Sequence, residues 1–411
     1  MTMTEPAVEA LRDAAKGLLP DVVALRRSLH LHPELGNDIP RTQAAGVEAL
    51  DGLGLEVRTG DALTSVVADL RGGAGDGPTI LLRGDMDALP MPEDTGLEFA
   101  STVDGVMHAC GHDAHTAMLV GAARLLAERR DQLAGGVRFM FQPGEEGSGG
   151  AAFMIDEGVL DGVDAAFALH IAPNLWSDFV VHRSGPALAS ADVVRIEVTG
   201  RGGHASSPHW ATDPVPVACE IVLALQSMIT RTVDAFDPAV LTIARISTGT
   251  TNNVIPETAE LEGTLRTVNE VVRHAVWDRI RQVVDGIAAA HGCTAEVVVE
   301  EGYPVTVNDP RFTSWASDVV ADVVGADHVA EMPSPVMGAE DFSYVLRKVP
   351  GAMFFLGVCP PDEPNPFVAP ACHSNRMVLN EDAMATGIAV HAAVATAFLD
   401  AGVTASGPTR G

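Results

Sequence analysis

The chain has 411 residues, 47% hydrophobic and 20% charged, more apolar material than one core usually holds, so two domains are expected and a disordered chain is excluded. Its 26 basic residues against 55 acidic ones leave a formal charge of -29, which repels nucleic acid and anionic membrane and excludes both as partners. Five scattered cysteines suggest no disulfide framework, the N-terminus shows no secretory pattern, and no stretch reads as a bilayer span, so a reducing, cytoplasmic setting is expected.

In chain order, apolar residues at helical spacing predict a helix over Leu18–His32, with Pro20 near its first turn, and a second over Thr42–Leu53, stopped by Gly54. Short β-rich runs follow at Ser65–Leu70 and Thr79–Arg83. A helix is expected over Ala114–Arg129 and a strand over Gly136–Gln142, with a further helix near 149–158 and a strand at Ala165–His170. This alternation predicts an α/β domain with a mostly parallel sheet. From about Ser190 the texture changes to strands at Asp192–Thr199, Val240–Ser247, Thr258–Thr267 and Thr294–Glu301, with helices at Val215–Thr230 and Glu270–Ala290. That is an α+β unit, expected over 190–302 as an insertion into a discontinuous domain of 1–189 and 303–411, because helix Arg311–Val324, strand Ala352–Val358 and helix Glu381–Leu399 resume the first texture. The tail Ala401–Gly411 is expected to fray.

The chemistry concentrates at the expected strand ends, where an open α/β sheet gathers its ligands. The run His108-Ala109-Cys110-Gly111-His112-Asp113-Ala114-His115 holds a thiol, three imidazoles and a carboxylate in eight residues, a density that points to a transition metal. Asp85 and Asp87 follow one strand, Glu145 and Glu146 follow another, and His170 closes a third. The adjacent glutamates sit on a Pro/Gly loop and suit two jobs, one binding metal and the other moving a proton; the plain alternative is a solvated acidic turn. His170 reads equally well as a core histidine. Farther on, Cys372-His373 offers an imidazole or a second thiolate. In the insertion, His204, Asn253 and Arg266 are neutral or cationic donors suited to an anionic substrate or a developing oxyanion.

Taken in order, Leu25-Arg26-Arg27-Ser28-Leu29-His30-Leu31-His32-Pro33-Glu34, Arg83-Gly84-Asp85-Met86-Asp87-Ala88-Leu89-Pro90, the Cys/His run, the glutamate pair, Gly203-His204-Ala205, Asn253-Val254-Ile255-Pro256 and Gly338-Ala339-Glu340-Asp341-Phe342-Ser343 form a specific set. On these motifs the sequence resembles the dinuclear metal-dependent aminoacylase and carboxypeptidase superfamily, in its amidohydrolase branch of hippurate hydrolases and indole-acetyl-amino-acid hydrolases. The resemblance implies an α/β metallohydrolase domain with an inserted α+β lid that also mediates dimerisation. It implies Cys110, His112, Glu146, His170 and His373 as ligands of two divalent ions, with Cys110 between them and manganese, zinc, cobalt or nickel as the candidates. Glu145 would be the general base, Asn253 a substrate contact, and His204 a group able to reach the metals of a neighbouring subunit; Arg266 is assigned to substrate from its charge. Cys372-His373-Ser374-Asn375 departs from the usual Leu-His-Ser-Pro, and Thr251-Asn252 from the usual small or apolar residues, changes that concern pocket shape.

The expected reaction is hydrolysis of the amide of an N-acyl amino acid or short peptide by a metal-activated water, with Glu145 taking its proton and returning one to the leaving amine. Two other readings compete: a Cys110 nucleophile with His112 as base, and a non-catalytic metal- or peptide-binding protein that keeps the fold.

Overall fold

A helix that carries a proline at its sixteenth position must be held by something other than its own hydrogen bonds, since Pro20 donates none and crowds the preceding turn. The computed structural model describes residues 4–401, and its first helix runs over Glu5–His30, starting well before the expected Leu18. Pro20 therefore lies mid-helix instead of in a first turn. Val8, Leu11, Ala15, Val22, Arg26 and Leu29 are buried along one face and pack this helix against helices His112–Glu128 and Met384–Ala401. That burial outweighs the cost of the proline.

The chain divides into two compact units. The first comprises residues up to Gly185, Val307–Ser334 and the chain from Asp341; the second comprises Pro186–Thr306 and Pro335–Glu340.

In the first unit an eight-stranded sheet has the order Glu56–Thr59, Val66–Arg71, Gly136–Gln142, Thr79–Asp85, Ala165–Ala172, Gly351–Gly357, Val180–His182, Val329–Glu331. The four strands from Gly136–Gln142 to Gly351–Gly357 are mutually parallel, while Val66–Arg71 and Val180–His182 join them antiparallel. Thr79–Asp85 and Ala165–Ala172 are buried almost throughout, as continuous apolar runs covered on both faces should be. The parallel register puts the carboxyl ends of the central strands on one edge, with Asp85 beside Gln142 and Phe355 beside His170. Strand Ala165–Ala172 runs two residues beyond the expected end, so His170 projects from within the strand. The short strands at 56–59, 180–182 and 329–331 escape the sequence reading because three or four residues carry too little periodicity.

The second unit has a four-stranded antiparallel sheet, Ala239–Thr248, Thr258–Thr267, Asp192–Thr199, Thr294–Glu301, with helices Pro214–Thr232 and Glu270–Ala290 packed against it. Asp213 and Asn269 cap these helices by accepting hydrogen bonds from Val215 and Val271 at 3.0 and 2.9 Å.

Two helices prove long and apolar enough by length and composition to cross a membrane, Pro214–Thr232 and Glu381–Ala401, which corrects the sequence expectation. In the latter, 83% of the most apolar window is buried inside the protein, the pattern of a core helix. The expected fraying of the tail concerns positions 401–411, of which only Ala401 lies within the described residues.

Candidate metal centre

Each residue of this centre belongs to the first unit. Strand Thr79–Asp85 delivers Asp85 and, two residues later, Asp87; the parallel neighbour Gly136–Gln142 delivers the glutamate loop. Asp87 clamps that loop. One of its carboxylate oxygens accepts the backbone N–H of Glu145 at 2.9 Å and the other that of Glu146 at 3.0 Å, so adjacent glutamates hang from one buried anion. A further buried network fixes the strand ends: the Gln142 amide donates to both oxygens of Asp341 at 2.8 Å, Arg83 donates to Gln142 Oε1 at 3.0 Å, and Arg83 also pairs with Asp85. Gln142 and Asp341 carried no assignment in the sequence reading; a polar residue ending a buried strand is the signal for the first, and nothing in the spacing reveals that Asp341 lies beside it.

The thiol and imidazoles arrive with helix His112–Glu128. The helix begins at His112, two residues before the expected start, and Gly111 supplies the sharp entry at φ 86°, a left-handed conformation that side chains resist. A Cβ at Gly111 would lie 2.4 Å from Ile171 Cγ1. Gly111→Ala is therefore expected to destabilise the fold by roughly 2 kcal/mol through strain and overpacking, and to weaken metal binding because Cys110 and His112 flank the strained residue. Thermal denaturation and metal titration of the variant check both effects.

The imidazoles have defined tautomers. His112 Nδ1 lies 2.8 Å from the backbone carbonyl of Asp87, which can only accept, so Nδ1 carries a proton and Nε2 is the nitrogen left for a proton or a cation. His170 repeats the arrangement, with Nδ1 donating to the Ile171 carbonyl at 2.6 Å and Nε2 at 3.4 Å from Cys110 Sγ. The buried Nε2 of His112 has no hydrogen-bond partner; Asp85, Glu145 and Glu146 approach it at 3.5, 3.9 and 4.0 Å. A buried imidazole nitrogen without a partner, ringed by carboxylates and already oriented by the Asp87 carbonyl, is the arrangement a cation site requires. His115, the third imidazole of the run, serves structure: its Nδ1 donates to Asp85 at 2.5 Å and its Nε2 accepts the N–H of Ile171 at 2.8 Å.

Two clusters share one sulfur. Cys110, His112 and His170 bring their donor atoms within 4.8 Å of one another, and so do Cys110, Glu146 and His373. His112, Glu145 and Glu146 form a third such group. All five expected ligands and Glu145 are thus gathered at one edge of the sheet. His373 has a left-handed backbone, φ 69°, and its Nε2 is 3.1 Å from Glu146 Oε1.

The electrostatics agree with a positive guest. Burial lowers the His112 pKa, yet Asp85, Asp87 and Glu146 overcome it and hold the imidazole well above its usual value. A proton and a metal ion would compete for that nitrogen. Burial and the neighbouring His115 instead push His170 well below its usual value, toward the neutral form that ligates. The Cys110 thiol is raised well above its ordinary value by its hydrogen bond to Cys372, by burial and by the nearby carboxylates, and a divalent charge among these groups reverses that balance. The donor set of one sulfur, three imidazole nitrogens and a carboxylate suits a borderline divalent ion.

His204 and Asn253 lie in the second unit, side by side. Val254 pairs with His204, and the carbonyl of Asn253 accepts the N–H of Ala205 at 3.1 Å. His204 is exposed, and its Nδ1 accepts the backbone N–H of Ser206 at 3.1 Å, which leaves the proton on Nε2 as an outward donor. Arg266 does not join this pair. It pairs with Val240 near the far end of strand Thr258–Thr267, about 26 Å of strand rise from Thr258, where the chain leaves the His204–Asn253 turn.

Residues 81–397 match peptidase family M20/M25/M40, three-quarters of the chain and every proposed ligand. The chain belongs to this family. It is a hydrolase with the dinuclear metal-binding fold of the M20 peptidases. Among its relatives, thermostable carboxypeptidase 1 of Saccharolobus solfataricus is 41% identical over 395 residues, 95% of this chain and 98% of that one. The IAA-amino acid hydrolase ILR1-like 2 of Arabidopsis thaliana is 38% identical over 382 residues, 92% and 85% of the two chains. A crystal structure of the Bacillus subtilis YXEP protein, a dinuclear metal binding peptidase from the M20 family, superposes with a TM-score of 0.81 at 36% identity, covering 94% of this chain and 99% of that one.

Proposed function

We propose that this M20 hydrolase cleaves the amide bond of N-acyl amino acids, with Cys110, His112, Glu146, His170 and His373 holding two divalent ions and Glu145 acting as general base and acid. The observation that carries the reading is the buried, unpartnered Nε2 of His112, with the Glu145 carboxylate 3.9 Å away. When bound, the ions supply Lewis acidity: they acidify a water and polarise the scissile carbonyl.

The rest is the work of the chain. Asp87, holding the backbone on both sides of the Glu145–Glu146 peptide, directs one carboxylate to the ligand set and leaves the other to the proton. Glu145, 7% exposed, accepts a proton from the attacking water at a carboxylate oxygen. The same oxygen then donates it to the departing amine. The reading also assigns the outward Nε2–H of His204 to the oxyanion and Asn253 to the substrate, with a homodimer as the working form. Mixing Glu145→Gln with His204→Ala chains tests that part: recovered turnover in the mixture means that the histidine acts across the dimer.

Soft sulfur and imidazole donors favour zinc, while the carboxylate also admits manganese, with cobalt and nickel as substitutes. The deciding experiment is amine release from a panel of N-acetyl, N-benzoyl and N-indoleacetyl amino acids by protein reloaded with each metal. The reading expects release that a chelator abolishes and added metal restores. The 41% identity to a carboxypeptidase favours a second reading, in which the acyl portion is a peptide. Faster cleavage of C-terminal residues from peptides than of any simple N-acyl amino acid would favour that alternative, and no release across both panels would overturn both.

A further inference from the structure

Cys372 precedes His373 and has no part in the hydrolytic chemistry above. The N–H of His373 donates to the carbonyl of Ala109 at 2.7 Å, so Cys372 and Cys110 flank one backbone hydrogen bond that joins segments 262 residues apart. Cys372 Sγ lies 3.8 Å from the Cys110 carbonyl oxygen, so the two cysteines are neighbours across that bond. Neither is bridged to any other cysteine. Cys372 is half-buried and reachable from solvent, whereas Cys110 is only 8% exposed. Two cysteines placed side by side by one backbone hydrogen bond, with one sulfur already against the other residue's carbonyl, need side-chain rotation and little backbone movement to reach bonding geometry.

We propose that Cys110 and Cys372 form a reversible disulfide in the metal-free protein, a modification that closes the centre when a hydroperoxide is present. The peroxide oxidises the Cys372 sulfur to a sulfenic acid and is itself reduced, releasing one water or alcohol. The Cys110 sulfur attacks that sulfur, the S–S bond forms, the S–O bond breaks, and the hydroxyl leaves as water with the Cys110 proton. Two electrons pass from the thiol pair to the peroxide. Cys110 belongs to both three-residue clusters, so its capture removes a donor from each. Protection by metal rests on the ligand reading above; the bond itself rests on the adjacency of the two cysteines across the His373–Ala109 hydrogen bond.

The test treats chelator-stripped full-length protein with hydrogen peroxide, blocks remaining thiols by alkylation and maps the peptides by mass. The expected product links Cys110 to Cys372, leaves the other three cysteines alkylated and reverts with dithiothreitol. Separate sulfinic or sulfonic acids on Cys110 and Cys372, or both alkylated without a link, would overturn the proposal. Cys372→Ser should give no link and let Cys110 remain alkylatable or overoxidise irreversibly. Preloading wild-type protein with Zn2+ should slow linkage about tenfold or more, because a metal-bound sulfur is a poor nucleophile toward the sulfenic acid. Equal rates with and without Zn2+ would refute Cys110 as a ligand while leaving the disulfide in place, so the two readings fail separately.

Discussion

Glu145→Gln is expected to lower kcat by about 10²–10⁴-fold while the protein stays folded and binds two ions, the range over which a positioned general base contributes. Glutamine keeps the size of the side chain and one oxygen but cannot carry a proton between water and amine. The backbone clamp on this loop uses the N–H groups of positions 145 and 146, which the substitution leaves in place, so Asp87 should still hold Glu146 toward the ligand set. Metal content by elemental analysis separates this outcome from loss of the centre. Turnover within threefold or so of the wild type, with both ions present, would eliminate Glu145 as the base.

Asp113→Ala is expected to cost roughly 3–5 kcal/mol of stability, because it removes the buried carboxylate that Arg26 and His30 share. Asp113 follows His112 and is fully buried. One of its oxygens accepts from Arg26 Nε at 2.9 Å and from His30 Nδ1 at 2.8 Å; Arg26 also reaches Glu381 at 2.8 Å, and His30 Nε2 lies 3.3 Å from Glu93. The cluster ties helix Glu5–His30 to the start of the helix that carries His112. Urea denaturation measures the loss, and a shift within 1 kcal/mol or so would mean that the charges are solvated or rearranged.

The same cluster sets a pH dependence. Burial by itself lowers the His30 pKa, but Asp113 and Glu93 outweigh it and raise it to about 9. A histidine raised on folding binds its proton more tightly in the native state, so its contribution is complete below the ordinary value of 6.5 and fades as pH rises through about 9. Asp113 behaves oppositely. Burial opposes its ionisation, yet Arg26 and His30 hold it well below the carboxylate range, so its share is lost only in strong acid. Stability should therefore fall between pH 6.5 and 9 by up to about 3 kcal/mol, and His30→Gln should flatten that slope.

Periodicity carried far in this chain. Gly136–Gln142, Asp192–Thr199, Thr258–Thr267, Glu270–Ala290 and Thr294–Glu301 have the bounds that their residues predict, because each is long, regular and bounded by breakers. The first helix defeats the same reasoning, since tertiary burial of Val8, Leu11 and Ala15 overrides a mid-helix proline that local rules read as a beginning. In the centre, Cys110, His112 and the glutamate pair are legible because reactive side chains crowd a few positions. His373 becomes legible only through the resemblance, since nothing in the 260 residues between it and His112 says that the chain returns to the same strand edge. Tautomers, the Asp87 clamp and the contact of Cys110 with Cys372 depend on angles and on distant segments, which no one-dimensional pattern encodes.

The two donor clusters, Cys110–His112–His170 and Cys110–Glu146–His373, differ in how firmly they are set. The His112 side chain is 1% exposed and its ring is anchored through Nδ1, while the His373 side chain is 55% exposed on a left-handed turn. Unequal rigidity translates into unequal residence: the interior cation should enter first and leave last, and the outer one should exchange with the medium. At limiting metal supply a population of half-filled molecules would then accumulate, and the outer position would act as the valve through which the activity follows metal availability.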